Sequence, residues 1–259
     1  MVSPIDRLKQ IVERLRSPDG CPWDREQTHA SLKPHIIEEC YELIDAIDDQ
    51  DDQGMQEELG DVLLQVILHA QMASEEGRFD FDSVAAVISE KLIRRHPHVF
   101  GNTKLATSDA VLKQWDAIKR GEKIDRESAL DGVPRGLPGL AKAQKMQSKA
   151  ARAGFDWPDA EGPLEKVKEE IREIEQAGTG EKLAEELGDL LFSVVNFARK
   201  SKLDAEELLQ AANHKFSDRF RKMETLAASR GLNFSSLTLS EMDQLWNEVK
   251  QSGSSPSGA

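Results

Sequence analysis

The sequence contains few of the residues and patterns that mark secreted, membrane or zinc-binding proteins. Only two cysteines, Cys21 and Cys40, occur among 259 residues, and they do not form a C-x-x-C pair. This excludes a disulfide framework and argues against a zinc site. No apolar run approaches the roughly 18 residues that span a bilayer, and the N-terminal MVSPIDRLKQ lacks the apolar stretch of a signal peptide. We therefore expect a soluble cytoplasmic protein with no membrane partner.

Acidic residues outnumber basic ones, and aromatic residues are scarce. The 47 acidic and 34 basic residues give a net charge of −13, which repels nucleic acid, and we expect no nucleic-acid partner. With one tyrosine and nine phenylalanines, the core must be mostly aliphatic. Nothing alternates with a period of two over a useful length, whereas apolar residues recur at helical spacing. The sequence therefore predicts an all-α protein built from helical bundles.

The chain contains an internal repeat. Five segments recur in the same order: GCPWD (20–24) as GFDWP (154–158), IIEECYELIDA (36–46) as VKEEIREIEQA (167–177), EELGDVLLQVILHAQ (57–71) as EELGDLLFSVVNFAR (185–199), KLIRR (91–95) as KFSDR (215–219), and WDAIK (115–119) as WNEVK (246–250). The offset stays between 124 and 134, so we infer a duplication. We predict two tandem domains, 1–120 and 136–250, a linker at 121–135 and a disordered tail at 251–259.

Helix boundaries follow from caps, prolines and glycines. Ser3 and Pro4 should start the first helix, and Pro97 should end another at Arg95 or His96. The predicted helices begin at Pro4 and then cover about 32–48, 55–75 and 82–95 in the first copy, and about 138–153, 163–177, 181–200 and 204–229 in the second. A further short helix surrounds the last tryptophan of each copy.

Each copy carries two pairs of carboxylates on two helices joined by a short turn. The first quartet is Glu39, Glu42, Glu58 and Asp61, and the second quartet is Glu170, Glu173, Glu186 and Asp189. Side chains three apart share a helix face, so antiparallel helices can bring each quartet together. A single E-x-x-E is usually a solvated helix face, but these pairs lie beside apolar residues and recur in both copies.

Four close carboxylates either take up protons or bind a cation. Oxygen ligands without histidine or cysteine suit Mg²⁺, with Mn²⁺ as a substitute, rather than zinc. Each E-L-G-D segment also places a glycine, Gly60 or Gly188, inside a helix at a cost of about 1 kcal/mol against alanine. That cost suggests the close approach of a helix or ligand, and we predict a metal site in each copy.

A magnesium cluster of this kind usually serves a polyphosphate, so basic side chains are expected on a neighbouring helix. A tryptophan could stack on a base or fill the bundle. The candidate substrate-binding residues are Lys91, Arg95, Trp115 and Lys119 in the first copy, and Lys215, Arg219, Trp246 and Lys250 in the second.

The motif E-E-x-x-E followed by E-x-x-D, here Glu38 to Glu42 and Glu58 to Asp61, resembles the MazG nucleoside triphosphate pyrophosphohydrolases. GCPWD, EEGRFDF and RRHPHVF resemble the longer, two-domain bacterial members, so the likeness covers nearly the whole chain. It implies an all-α homodimer whose sites use helices of both subunits. It also implies Mg²⁺-dependent hydrolysis of NTPs and dNTPs to monophosphate and pyrophosphate, with the two quartets as metal ligands.

The mechanism expected from this resemblance is attack of water on the α-phosphorus. Glu38 and Glu169 point about 100° away from their neighbours around the helix and could act as base or as partners of the ligands. Such an enzyme would control or clean the nucleotide pool. The preferred base stays open, as does the choice among canonical, damaged and signalling nucleotides.

The two copies are not equivalent, and two alternatives to this function exist. Pro97 ends the first basic helix, whereas NHKFSDRFRKME (213–224) continues unbroken, which favours the second copy as the main catalytic one. One alternative is a non-catalytic helical module that binds nucleotides or proteins. The other is a di-iron bundle, which needs E-x-x-H on two helices; only Glu26 to His29 has that spacing.

Overall fold

A computed structural model describes residues 2–122 and 127–252, and every regular element in these ranges is a helix. The predicted all-α fold is confirmed for them. The chain divides into two compact units, residues 1–124 and 125–259. No helix in the described ranges is both long and apolar enough to span a bilayer.

The first unit is built around the contact between its third and fourth helices. Its described helices are α1 (Pro4–Arg16), α2 (Pro22–Glu26), α3 (Lys33–Asp48), α4 (Asp52–Glu75), α5 (Phe81–Arg95), α6 (Pro97–Phe100) and α7 (Ser108–Gly121). Helices α1, α3 and α5 each pack against α4. The buried core between α1 and α4 is aliphatic, with Val12, Leu32, Ile67 and Met72 among its members.

The second unit repeats this plan. Its described elements are α8 (Gly139–Arg152), α9 (Glu161–Ala177), α10 (Glu181–Lys200), α11 (Ala205–Ser229), a 3₁₀ turn (Phe234–Ser236) and α12 (Leu239–Ser252). Helix α9 packs along α10, and α8 packs on the same α10. A separate cluster around Met223 and Leu245 holds α12 against α11.

The turns that align the acidic helices are short, and the two copies build them differently. In the first unit Gln50 takes a positive φ of 56°, and the Asp51 side chain caps α4 by accepting a hydrogen bond from the Gln53 amide at 3.1 Å. In the second unit Gly178 and Gly180 have φ of 72° and 90°, a region open to glycine. Each turn returns the chain directly, so the two acidic helices lie side by side.

Three predicted boundaries need correction. Helix α4 begins at Asp52 rather than near 55, because Asp51 caps it and Gly54 is accommodated inside the helix. Gln251 and Ser252, which were predicted to belong to the disordered tail, belong to α12, and residues 253–259 lie outside the described residues. Residues 123–126 of the predicted linker also lie outside them, and Gly121 still belongs to α7.

The contrast between the two basic helices is confirmed. Helix α5 ends at Arg95, and Pro97 begins the separate four-residue helix α6. Helix α11 continues without interruption from Ala205 to Ser229.

Candidate metal centre

The first quartet converges between α3 and α4. One carboxylate oxygen from each of Glu39, Glu58 and Asp61 lies within 4.8 Å of the others. Glu42 is not one of these three, but its charge raises the pKa of both Glu39 and Glu58. Glu42 and Asp61 therefore both act electrostatically on Glu39 and on Glu58.

The second quartet converges in the same way between α9 and α10. One oxygen from each of Glu170, Glu186 and Asp189 lies within 4.8 Å of the others. Glu173 joins them through a side-chain hydrogen bond with Glu170, which raises the pKa of Glu173; burial and the charges of Glu170 and Glu186 raise it further. The duplication thus reproduces the geometry as well as the sequence.

Burial and mutual repulsion raise the pKa of several of these carboxylates. Burial is the largest cause that raises the pKa of Glu39 and of Glu58, and the neighbouring carboxylates raise both further. A divalent cation placed among the oxygens would remove this penalty, because it favours the charged form of every ligand.

The residues fit a hard divalent cation. The Oε2 atom of Glu58 is buried without a hydrogen-bond partner among the described residues, and such orphaned buried acceptors are rare unless an ion or water satisfies them. Neither group of converging side chains in the described ranges contains histidine or cysteine. An all-oxygen ligand set suits Mg²⁺ or Mn²⁺.

Two polar residues beside the quartets were not predicted from the sequence. The buried Gln65 forms a hydrogen bond with Glu39 and lowers its pKa. Lys166 Nζ lies 2.8 Å from Glu170 Oε1 and 2.8 Å from Glu169 Oε1, and its pKa is raised by these contacts. Their spacing was the available signal, because Gln65 follows Asp61 by four residues and Lys166 precedes Glu170 by four.

Glu38 and Glu169 are exposed and lie outside the two converging groups in the described ranges. Each instead faces a basic residue on its own helix. Glu38 Oε2 lies 3.6 Å from His35 Nδ1, and Glu169 pairs with Lys166. The structure therefore places both beside the ligand cluster but not among the converging oxygens.

Two of the three predicted basic residues of the first copy, Arg95 and Lys119, lie over the Trp115 ring. The Arg95 guanidinium lies 5.6 Å from the Trp115 ring centroid and Lys119 Nζ lies 4.8 Å from it. Arg95 is buried and bonded to Glu122, which also pairs with Arg94 at 2.6 Å. Lys91, one turn earlier on α5, is half-buried.

The second copy has the same arrangement of arginine and tryptophan. The Arg219 guanidinium lies 5.7 Å from the Trp246 centroid, and the Phe216 ring lies 5.5 Å from it. Trp246 also packs against the core of α11 and α12, so it fills the bundle on one side. Lys215 and Lys250 are exposed.

The glycines of the two E-L-G-D segments, Gly60 and Gly188, are not closely approached by any other part of the described chain. A Cβ atom added at Gly60 or at Gly188 would meet no atom of the described chain within 4 Å. The close approach expected at these positions is therefore absent inside the described part of one protomer.

The second unit contains an apolar cavity of about 440 Å³. One of its lining residues, Phe192, follows Asp189 by about one turn of α10. The cavity is lined mainly by aromatic and aliphatic side chains, with Trp157 and Phe192 on its walls. The buried Gln147 lines it, donates to the Phe192 carbonyl at 2.8 Å, and leaves its own Oε1 without a partner among the described residues. This recess is distinct from the acidic cluster.

The single E-x-x-H spacing does not build a di-iron site. His29 Nδ1 lies 2.7 Å from His69 Nδ1, and Arg78 Nη2 lies 2.6 Å from His29 Nε2. Both ring nitrogens of His29 are thus occupied by protein partners.

Comparison with known proteins gives a consistent result. The family model described as "MazG nucleotide pyrophosphohydrolase domain" matches residues 27–100 and 161–223. The Thermotoga maritima protein named nucleoside triphosphate pyrophosphohydrolase/pyrophosphatase MazG is 49% identical over 246 residues, which cover 95% of each chain. The nucleoside triphosphate pyrophosphohydrolase of Escherichia coli K12 is 48% identical over 258 residues, covering 96% of this chain and 98% of the relative. Each matched segment includes one quartet.

Proposed function

This chain belongs to the MazG nucleotide pyrophosphohydrolase family, and from that premise we propose that it is a nucleoside triphosphate pyrophosphohydrolase that works at its two carboxylate quartets. The substrates are NTPs and dNTPs, and the products are the monophosphate and pyrophosphate. The observation that carries the assignment to these residues is the convergence of three carboxylate oxygens, from two adjacent helices, within 4.8 Å in each copy.

The quartets hold the divalent metal through Glu39, Glu42, Glu58 and Asp61 in the first copy and Glu170, Glu173, Glu186 and Asp189 in the second. A bound Mg²⁺ or Mn²⁺ supplies charge neutralisation at the phosphate oxygens and lowers the pKa of water. The choice of Mg²⁺ over other ions rests on the oxygen-only ligand set and on the polyphosphate substrate.

The basic side chains hold the triphosphate while water attacks the α-phosphorus. Lys215 and Arg219 lie one turn apart on the unbroken α11 and bind phosphate oxygens. Trp246, whose ring centroid lies 5.7 Å from the Arg219 guanidinium, and Lys250 also contact the substrate. Lys91, Arg95, Trp115 and Lys119 have the corresponding places in the first copy. The second copy is the main catalytic one, because its arginine is not bonded to a carboxylate of the described chain.

Glu38 and Glu169 act as positioning residues. Glu169 holds the Lys166 ammonium, which contacts the ligand Glu170, and Glu38 faces His35 in the first copy. Because both carboxylates are exposed and face basic residues, they orient the surroundings of the ligands instead of binding metal.

The protein works as a homodimer. Apolar side chains spaced at i, i+4 and i+7 remain exposed on the acidic helices: Ile37, Tyr41 and Ile44 on α3, and Leu187, Leu191 and Val194 on α10. Such stripes mark interaction surfaces. A second copy of the chain covers them, and the open sides of Gly60 and Gly188 allow a partner helix or substrate to approach.

The cytoplasm is the expected compartment. Cys21 and Cys40 are both free, and the proposed chemistry does not use either. Two unpaired thiols fit a reducing environment.

The test is hydrolysis of each NTP and dNTP by purified protein with Mg²⁺, with products separated by chromatography. Monophosphate and pyrophosphate are expected in equal amounts. Glu173→Gln should remove most of the activity and Glu42→Gln less. Unchanged substrate at high protein concentration would refute the function, whereas equal losses from the two variants would refute only the ranking of the copies.

A further inference from the structure

The two copies differ in what their corresponding arginines, Arg95 and Arg219, bind, and the difference comes from Glu122. One oxygen of Glu122 accepts a hydrogen bond from Arg94 Nε at 2.6 Å. The other accepts from Arg95 Nε at 3.0 Å and also from Arg95 Nη2. Both carboxylate oxygens therefore accept hydrogen bonds from guanidinium groups. Arginine uses the same N–H donors when it binds a phosphate.

Arg95 has little room for a second anion. Its side chain is only 8% exposed, and that of Glu122 is 18% exposed. The Trp115 ring covers the guanidinium at 5.6 Å. Hydrogen bonds from Arg95 and Arg94 lower the pKa of Glu122 to about 2, so the carboxylate stays charged throughout the neutral range and keeps both arginines occupied.

The second copy lacks this carboxylate. Arg219 lies over Trp246 at 5.7 Å, as Arg95 lies over Trp115, but Arg219 forms no ion pair with any described residue. Glu122 follows Trp115 by seven residues, and the residue that follows Trp246 by seven is Gly253. The sequence position of Arg94 is likewise taken by Asp218 in the second copy.

We propose that Glu122 substitutes for a substrate phosphate at Arg95 and thereby weakens nucleotide binding at the first quartet. The proposal rests on the proposed function, because it assigns Arg95 to the phosphates. A triphosphate that enters the first site must displace the Glu122 carboxylate or bind without Arg95. Because the carboxylate belongs to the same chain, it competes at a high effective concentration. Glu122 thus lowers the nucleotide affinity of the first quartet below that of the second.

The test uses the full chain carrying Glu173→Gln, which silences the second quartet. Calorimetric titration with Mg²⁺ and α,β-methylene-ATP, which cannot be cleaved between the α- and β-phosphates, measures binding to the first quartet. Adding Glu122→Gln should strengthen binding about tenfold or more, because charge-assisted hydrogen bonds to phosphate become available. Hydrolysis of ATP by the same variant should rise in parallel.

The matched control is Asp82→Asn. Asp82 lies on α5, the helix that carries Arg95, and like Glu122 it forms an ion pair, here with Lys9 Nζ at 2.6 Å, but the proposal gives it no contact with phosphate. This control should leave the affinity for the analogue unchanged.

A thermal measurement separates this role from a purely structural one. Glu122→Gln leaves Arg95 buried without a counter-charge, so its melting temperature without nucleotide should fall. The analogue then supplies the missing anion, and the rise in melting temperature that it causes should be larger in this variant than in the Asp82→Asn control. Glu122→Asp, which withdraws the carboxylate by one methylene, should show the same trend if Glu122→Gln does not fold.

Two results would overturn the proposal. One is equal affinity for the analogue with and without Glu122→Gln, and the other is absence of binding to the first quartet in both proteins. Failure of the proposed function is recognised separately, because the chain with both quartets and Glu122 intact would then hydrolyse no nucleotide.

Discussion

At the scale of single residues, the account depends on carboxylates that repel one another until a cation joins them. Glu58 illustrates this, because its Oε2 atom is buried without a partner among the described residues and its pKa is raised by burial and by three neighbouring quartet members. Neighbouring Glu57 is exposed, and its charge is the smallest of the causes that raise the pKa of Glu58. The same residue type thus has two different roles at adjacent positions.

Replacing Glu58 by glutamine should weaken metal binding at the first quartet by more than about 100-fold, since even outer partners of a metal site are worth about 10- to 100-fold. Titration with Mn²⁺ in the Glu173→Gln background, followed by electron paramagnetic resonance, measures this. Glu57→Gln is the control and should change the affinity less than twofold. Similar losses in the two variants would show that general surface charge, not a metal site, is being measured.

The metal-free protein should have a pH dependence that Mg²⁺ removes. The pKa values of Glu39, Glu58 and Glu173 are raised in the folded state. These groups therefore contribute to stability below pH 4.5, the ordinary pKa of glutamate. The contribution is lost as the pH rises through their higher pKa values in the folded state. The pKa values of other carboxylates are lowered in the folded state. The pH dependence of stability must therefore be compared between the parent protein and a variant.

Glu39→Gln tests this contribution. In EDTA it should raise the free energy of unfolding at pH 7 by a few tenths of a kcal/mol, the size of a like-charge pair, and should have no such effect near pH 4. With saturating Mg²⁺ the variant should instead be less stable than the parent, because the parent gains ligand-linked stability. Urea denaturation at the two pH values gives these differences, and a stabilisation that is independent of pH would contradict the account.

At the scale of helices, the sequence predicts most of the fold and the convergence of acidic side chains in each copy, but not the contacts made by side chains far apart in the chain. Spacing of three and four residues is enough to place the first quartet on the faces of two helices. The predicted start of α4 is wrong because Asp51 caps a helix that includes Gly54. Local propensity disfavours that glycine, and the cap and tertiary packing override it.

Glu122 shows why the rest could not be predicted. It lies in a segment whose glycine, proline and charge content indicate a linker, and its partners Arg94 and Arg95 are 28 and 27 residues away. No periodic pattern connects such positions. By contrast, Lys166 could have been found, because it lies one helical turn from Glu170.

The open side of Gly188 gives an element-scale prediction. Because an added Cβ meets nothing within 4 Å in the described protomer, Gly188→Ala should stabilise the helix by about 0.5–1 kcal/mol if α10 is free there. If a partner helix or substrate packs against Gly188, the same change should instead lower activity or dimer affinity. We expect the second result, and kcat/KM with sedimentation analysis distinguishes it. A stabilised, fully active variant would contradict close packing at this face.

At the scale of the whole molecule, the proposed homodimer is expected to cover the exposed apolar stripes. Leu191 on α10 is 58% exposed and belongs to one helix face with Leu187 and Val194. Leu191→Glu should convert the dimer to monomer at micromolar concentration, because a charge would be buried at the interface. Analytical ultracentrifugation measures this, with Leu239→Glu, an exposed position on α12, as the control. A monomeric parent protein would refute the dimer.

The central claim is that facing carboxylates in each copy bind the divalent ions that present a triphosphate to water. Its most direct test is a crystal grown with Mn²⁺ and α,β-methylene-ATP, with the metal located by anomalous scattering. The account predicts manganese within about 2.0–2.4 Å of quartet oxygens and of nucleotide phosphate at the second quartet, with weaker occupancy at the first. Bound nucleotide with no manganese at either quartet would contradict it.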